Sequence, residues 1–204
     1  MSESTEATQV VTTRTIRGIE APGPGIWEID PVHTDVTFVA RYMMLTKVRG
    51  RFDEFSGAIH VAENPEDSWV EVTIQTPSIN TNQEMRDNHL KSGDFLLVDE
   101  FPTMTFRSTK VELLGGSSLR VTGDLTIRGA TREVVLDAEF VGLTPKDMRG
   151  NARAAFTAST AIDREDFGVL WNMALETGGV LVSKKVDINI EAQAVLKTAE
   201  EAVA

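Results

Sequence analysis

The sequence predicts an all-β domain of about eight antiparallel strands that close on themselves, with one short helix inserted mid-chain. Three observations lead there. Apolar and polar residues alternate over most of the chain from Ile26 onward, and a period of two marks half-buried strands. Alternation of that kind gives each strand one apolar and one polar face, as in antiparallel sheets and unlike buried parallel ones. Short turns join most of these runs, and only the stretch around 81–93 reads as a helix. Strand length and glycines at potential corners favour a barrel over a sandwich, which the pattern by itself leaves open.

The elements follow in order. Residues 1–25 are rich in Ser, Thr, Glu and small residues and end in Ala-Pro-Gly-Pro-Gly. They read as a flexible tail and linker, although Val10 to Ile19 has the β-branched content of an extra edge strand. Val36, Phe38, Ala40 and Tyr42 share one strand face. Val48 to Val61 continues with Phe52, Phe55 and Ile59, and Gly50 and Gly57 read as bends or bulges. Asn64-Pro65 turns the chain into Val70, Val72 and Ile74.

Beyond the helical stretch, Met104 and Phe106 share a face and Gly115-Gly116 makes a hairpin turn. Leu119, Val121, Leu125 and Ile127 follow, interrupted by Gly123. Gly129-Ala130 turns into Val134, Leu136, Ala138 and Phe140. Ala154 to Ile162 and Val186 to Leu196 supply the last two strands, and 197–204 reads as a frayed end. The barrel domain is therefore expected over 26–196. Small inward residues such as Ala40, Ala138, Ala154, Ala158 and Ala192 stand beside large ones. That mixture fits either a filled, tapered core or an elongated cavity.

Composition narrows the function classes. A 204-residue chain with 41% hydrophobic residues can bury a substantial core, and no run approaches a membrane-spanning length. The formal net charge of −11 disfavours nucleic acid and argues against binding an anionic bilayer through electrostatics alone. The chain has no cysteine, which excludes disulfides and thiolate chemistry. The beginning MSESTEATQVV has neither a basic start nor an apolar core, so it reads as no secretory signal and the cytoplasm is the expected location.

The helical stretch concentrates the candidates for chemistry. Thr81 and Glu84 stand at capping-box spacing and Gly93 offers a stop. Between them lie Arg86, Asp87 and His89. A histidine beside a carboxylate can act as a general base, yet no nucleophile is set beside it by a local motif. The structural reading is that Arg86 and Asp87 fasten the helix to neighbouring strands and His89 donates to a backbone carbonyl. His33, His60 and His89 are widely separated, with no metal-ligand spacing, so no metal and no cofactor are expected.

From about Trp27 to Val195 the chain resembles the YceI-like family of polyisoprenoid-binding proteins. The matching pieces run in order. They include Ile29-Asp30-Pro31-x-His33, Val48-Arg49-Gly50-x-Phe52, Arg86-Asp87-x-His89-Leu90, Asp94-Phe95, Phe101-Pro102, Gly123-x-Leu125-Thr126-Ile127-Arg128-Gly129 and Asp163-Arg164-x-Asp166-Phe167-Gly168. Leu96 and Thr34 depart from the family's usual aromatic and serine.

The resemblance implies an extended, lipocalin-like eight-stranded barrel whose apolar tunnel holds a long isoprenoid chain, a polyprenyl phosphate or a quinone tail. It implies no catalytic residue and no metal, with homodimers common among members. The tunnel lining is then expected from Val36, Phe38, Tyr42, Phe52, Ile74, Leu90, Phe95, Met104, Phe106, Leu125, Leu136, Phe140, Phe156 and Ile188. Arg41, Lys47, Arg49, Arg51, Arg128 and Arg164 are candidates for an anionic headgroup. Two other readings stay open: a lipid-modifying enzyme using Arg86, Asp87 and His89, and a filled barrel serving as a stress-related interaction module.

Overall fold

The computed structural model describes residues 12–176 and 179–197. Thirteen strands and one α-helix lie among the described residues. A hairpin of β1 (Thr13–Ile16) and β2 (Ile19–Pro22) comes first. Then follow β3 (Gly25–Ile29), β4 (Asp35–Tyr42), β5 (Thr46–Phe52), β6 (Phe55–Val61), β7 (Trp69–Gln75) and β8 (Ile79–Asn80). Helix α1 (Glu84–Lys91) precedes β9 (Thr103–Gly115), β10 (Ser118–Ile127), β11 (Ala130–Thr144), β12 (Arg153–Asp163) and β13 (Val182–Leu196).

Eight staves close into an antiparallel barrel, and the first three are broken strands. Strand β13 pairs with β4 through residues 182–191 and with β3 through residues 194–196, so β3 and β4 make one stave. Strands β6 and β5 lie against them as the second, and β7 and β8 as the third. Thereafter β9, β10, β11, β12 and β13 each pair with the next, and β13 returns to the first stave. Order in space follows order in sequence throughout. Among the described residues, the far part of β5, residues 109–115 of β9 and residues 130–136 of β11 each keep only one partner strand.

The breaks have chemical causes. Between β3 and β4 the Asp30-Pro31 step interrupts the ladder, and Gln193 stitches it. The N–H of Asp30 donates to the Gln193 carbonyl at 2.8 Å, and the Gln193 N–H donates to the Thr34 hydroxyl at 3.1 Å. Arg153 locks the same corner, reaching Asp30 and Asp147 at 2.6 Å each. Burial raises the Asp30 carboxyl. Hydrogen bonds from Arg153, His33 and the Val32 N–H outweigh that and hold it down at about 2. Arg153 and two backbone N–H groups hold Asp147 likewise at about 2.

Several expectations need correction. The run from Val48 to Val61 is two strands, and Gly50 and Gly57 are points of close approach instead of bends. A Cβ at Gly50 would strike the Phe38 ring, and one at Gly57 would strike the Glu71 carbonyl oxygen. Residues 13–22, read as flexible tail with an extra edge strand over Val10 to Ile19 left open, form a hairpin held to the barrel. Arg14 donates to the carbonyls of Glu63 and Ala62 at 2.7 Å each, and Arg17 to that of Leu113. The first eleven residues and 198–204, expected as tail, lie outside the described residues.

Gly115-Gly116 marks its hairpin turn, whereas the next turn is Arg128-Gly129, one residue earlier than the expected Gly129-Ala130, because Ala130 already begins β11; all four turn residues have positive φ. Gly123 coincides with a register shift between β9 and β10. A Cβ there would lie 2.6 Å from the Phe106 ring.

Candidate functional site: an apolar cavity through the barrel

The barrel encloses a cavity of ≈ 420 Å³, within the range of small-molecule sites. It runs from the N-terminal hairpin at one end, hereafter the hairpin end, to α1 and the loop after it at the other, the helix end. Ile16, Ile19, Ala21 and Pro22 line the first end, and Leu90, Phe95, Leu96, Phe167 and Val169 the second. The interior is thus hollow, where the sequence left a filled core open. Side chains at alternate positions on every stave face inward, which is why the wall is almost wholly hydrocarbon.

Thirteen of the residues expected at the tunnel wall border this cavity: Val36, Phe38, Phe52, Ile74, Leu90, Phe95, Met104, Phe106, Leu125, Leu136, Phe140, Phe156 and Ile188. Tyr42 does not. It ends β4 at the start of a tight turn, beyond the cavity, and is 43% exposed. Of the small residues, Ala40, Ala138, Ala158 and Ala192 border the cavity. Ala154 instead packs in a cluster with Trp27, Ala194 and Leu196 toward the hairpin end. Trp27 is fully buried there and its indole N–H donates to the Gly23 carbonyl at 3.0 Å.

The sequence reading missed the hairpin's contribution. Ile16 and Ile19 flank an Arg17-Gly18 turn with positive φ at both positions, and that β-branched run was its only signal.

Helix α1 has a different cap from the one expected. Gln83 is the N-cap, its side chain accepting from the Arg86 N–H. Thr81 is instead the hub beneath the helix. Its N–H donates to Asp87 Oδ1 at 2.9 Å, and its carbonyl accepts from the Arg86 guanidinium at 2.8 Å. The helix stops at Ser92, whose N–H returns to the His89 carbonyl, and Gly93 has no positive φ. Asp87 and Arg86 therefore spend their polar groups on one threonine that is 5% exposed.

His89 turns the other way. Its Nε2 lies 2.9 Å from Asp94 Oδ2 rather than against a carbonyl, and its ring stands edge-on to Phe95 and Trp171. The three groups do not converge on a common point. No group of three or more His, Asp or Glu suited to a metal occurs among the described residues.

Two guanidiniums border the cavity with a buried donor left over. At the helix end Arg164 donates to the carbonyls of Ser183 and Val169, and its Nη2 has no partner among the described residues. Burial lowers its pKa, with Glu165 and Asp163 acting in the opposite sense. At the hairpin end the Arg14 Nε has no partner among the described residues.

Arg128 closes the β10–β11 turn onto the post-helix loop, donating to the Phe95 carbonyl at 2.8 Å. Arg41, Lys47, Arg49 and Arg51 lie on the β4–β5 ribbon outside the cavity.

The YceI-like domain family matches residues 27–194. The chain belongs to that family. Among curated relatives, UPF0312 protein SAS2572 of Staphylococcus aureus (strain MSSA476) is 40% identical over 172 residues, 84% of this chain and 96% of that protein. The crystal structure of the Campylobacter jejuni YceI protein superposes with a TM-score of 0.67 at 31% identity, covering 78% of this chain and 90% of that one. A polyisoprenoid binding domain from Saccharophagus degradans, implicated in plant cell wall breakdown, shares the fold at a TM-score of 0.63. Its identity is 14%, over 84% of this chain and 98% of that one. The eight-stranded barrel of this YceI-like chain is thus the fold of its relatives. No helix among its described residues is long and apolar enough to cross a membrane.

Proposed function

We propose that this YceI-like protein is a lipid-binding protein that holds a long isoprenoid chain, a polyprenyl phosphate or the tail of an isoprenoid quinone, for storage or transport. The observation that carries the reading is the continuous hydrocarbon-walled cavity from hairpin end to helix end. An elongated void of this kind suits a branched hydrocarbon, because each buried methylene contributes about 0.8 kcal/mol. The binding of polyisoprenoid by a protein of the same fold supports it. A binding role rather than an enzymatic one is favoured by the way Arg86, Asp87 and His89 are committed to Thr81 and Asp94. The spare donors of Arg164 and Arg14 suit a phosphate or carbonyl oxygen at either end.

Leu136 is 9% exposed and borders the cavity. In Leu136→Glu an unpaired carboxylate would face hydrocarbon. Incubated with polyprenyl phosphate or ubiquinone, the native protein should take up one of them and the variant, if folded by circular dichroism, neither. Uptake of neither lipid by the native protein would defeat the proposal.

A further inference from the structure

The β4–β5 turn carries an expense that the barrel does not require. Met43, Met44 and Leu45 form the loop between the paired residues Tyr42 and Thr46, with the Leu45 N–H donating to the Tyr42 carbonyl at 3.0 Å. Met43 and Met44 have φ of 51° and 58°. This left-handed pair is the geometry that Asn-Gly or Gly-Gly adopts without strain, and long side chains adopt it only at a cost. The strained positions then present apolar groups to water. Met44 is 53% exposed and Leu45 79%. Met173 is exposed beside them. The backbone ladder from Met173 through Leu181 to Met43 sets the two segments side by side.

The charge around this tip is opposite to that of the molecule. Residues 41–51 contain four basic residues and no acidic one, in a chain of net charge −11. Arg41 pairs with Lys47, Val39 with Arg49 and Thr37 with Arg51, so all four project from one face of the ribbon. Arg51 has Asp53 at 2.6 Å. Arg41, Lys47 and Arg49 have no carboxylate within ion-pair distance among the described residues. The nearby Asp187 is held down first by Lys185 and also feels Lys47 and Arg41. Two further lysines, Lys184 and Lys185, are already matched by Glu165 and Asp187.

From Gly50 back to the tip, β5 has no partner except β4 among the described residues, so one side of the tip is an open sheet edge. Charge on an edge strand also discourages edge pairing. That role is indifferent to sign and gives no reason for two strained, exposed methionines.

We infer that the β4–β5 tip docks on an anionic lipid surface: Met43, Met44 and Leu45 insert among the headgroups while Arg41, Lys47 and Arg49 meet the negative charge. An apolar tip with a cationic collar matches such a surface on both counts. The net charge, which argues against purely electrostatic binding, is overcome locally by combining insertion with a basic patch. Docking here would bring the helix end of the cavity to the bilayer, since Tyr42 pairs with Val182 and the neighbouring Ser183 carbonyl accepts from Arg164 at that end. The inference stands apart from the cargo reading, because docking is measured without cargo.

The test is co-sedimentation of the full chain with vesicles of phosphatidylcholine alone and with about one third phosphatidylglycerol, at low and high salt. Binding is expected to the anionic vesicles only, falling steeply with salt. Met43→Asn with Met44→Gly relaxes the turn and removes its apolar tip. This variant should keep or raise its melting temperature and bind at least tenfold more weakly. Leu45→Ser, at a side chain outside the core, should weaken binding without touching the fold. Arg41→Gln with Lys47→Gln should flatten the salt dependence. Native protein that fails to sediment with anionic vesicles at low salt, or tip variants that bind as well as native, would overturn the inference. So would a concentration-dependent dimer that the Asn-Gly tip abolishes, since the tip would then serve a second copy of the chain.

Discussion

Ala158 faces the cavity directly across the strand pair from Ala138, with Ile190 on its other side. Ala158→Phe puts a ring into that void, and two opposite effects follow from the same geometry. The empty protein gains buried hydrocarbon, about 1.5–3 kcal/mol for a phenyl group that finds room, which raises the melting temperature by a few degrees. The cargo loses space for roughly one five-carbon isoprene unit. At about 0.8 kcal/mol per methylene equivalent that is about 4 kcal/mol of tail burial, near a thousandfold in affinity.

Differential scanning fluorimetry reads the first effect, and titration with a polyprenyl phosphate reads the second. A variant that melts higher and still loads lipid with native affinity would refute the placement of the tail. A variant destabilised by overpacking would refute the void itself.

Two further substitutions probe the frame around the cavity. Asp30 and Asp147 titrate below their unfolded values, so their stabilisation is complete above about pH 4 and is lost as pH falls from there toward about 2. Urea unfolding should find Asp30→Asn less stable than native at pH 7, with the difference shrinking toward pH 2; a difference independent of pH would contradict the Arg153 network. Asp87→Ala removes the acceptor of the buried Thr81 N–H and should cost about 1–3 kcal/mol while leaving lipid uptake unchanged. Intact stability with altered lipid retention would make α1 a gate instead of an anchored wall segment.

Much of the barrel was legible because its physics is local. Alternation fixes which face of a strand turns inward, and Val36, Phe38, Phe106, Leu125 and Leu136 reach the cavity for that reason. Gly115-Gly116 and Gly129 announce their turns because left-handed backbone favours glycine. What escaped depends on partners distant in sequence. Gly57 looks like a bend until the Glu71 carbonyl is seen against it. Thr81 has the spacing of a cap, but Arg86 and Asp87 claim its polar atoms from the next turn.

Residues 13–22 have a linker's composition up to the point where Arg14 finds the carbonyls of Ala62 and Glu63. Tyr42 has the right parity for the wall and the wrong position, one residue short of a turn. Whether the barrel was filled or hollow was open to neither pattern nor composition, since it depends on how far eight staves stand apart.

The central claim is that the hydrocarbon-walled cavity carries an isoprenoid chain. Mass spectrometry of an organic extract of the protein purified without detergent tests it most directly. An isoprenoid of defined length should be present in the native extract and absent from that of Leu136→Glu. An extract without isoprenoid, followed by no uptake of polyprenyl phosphate or isoprenoid quinone on incubation, would contradict it.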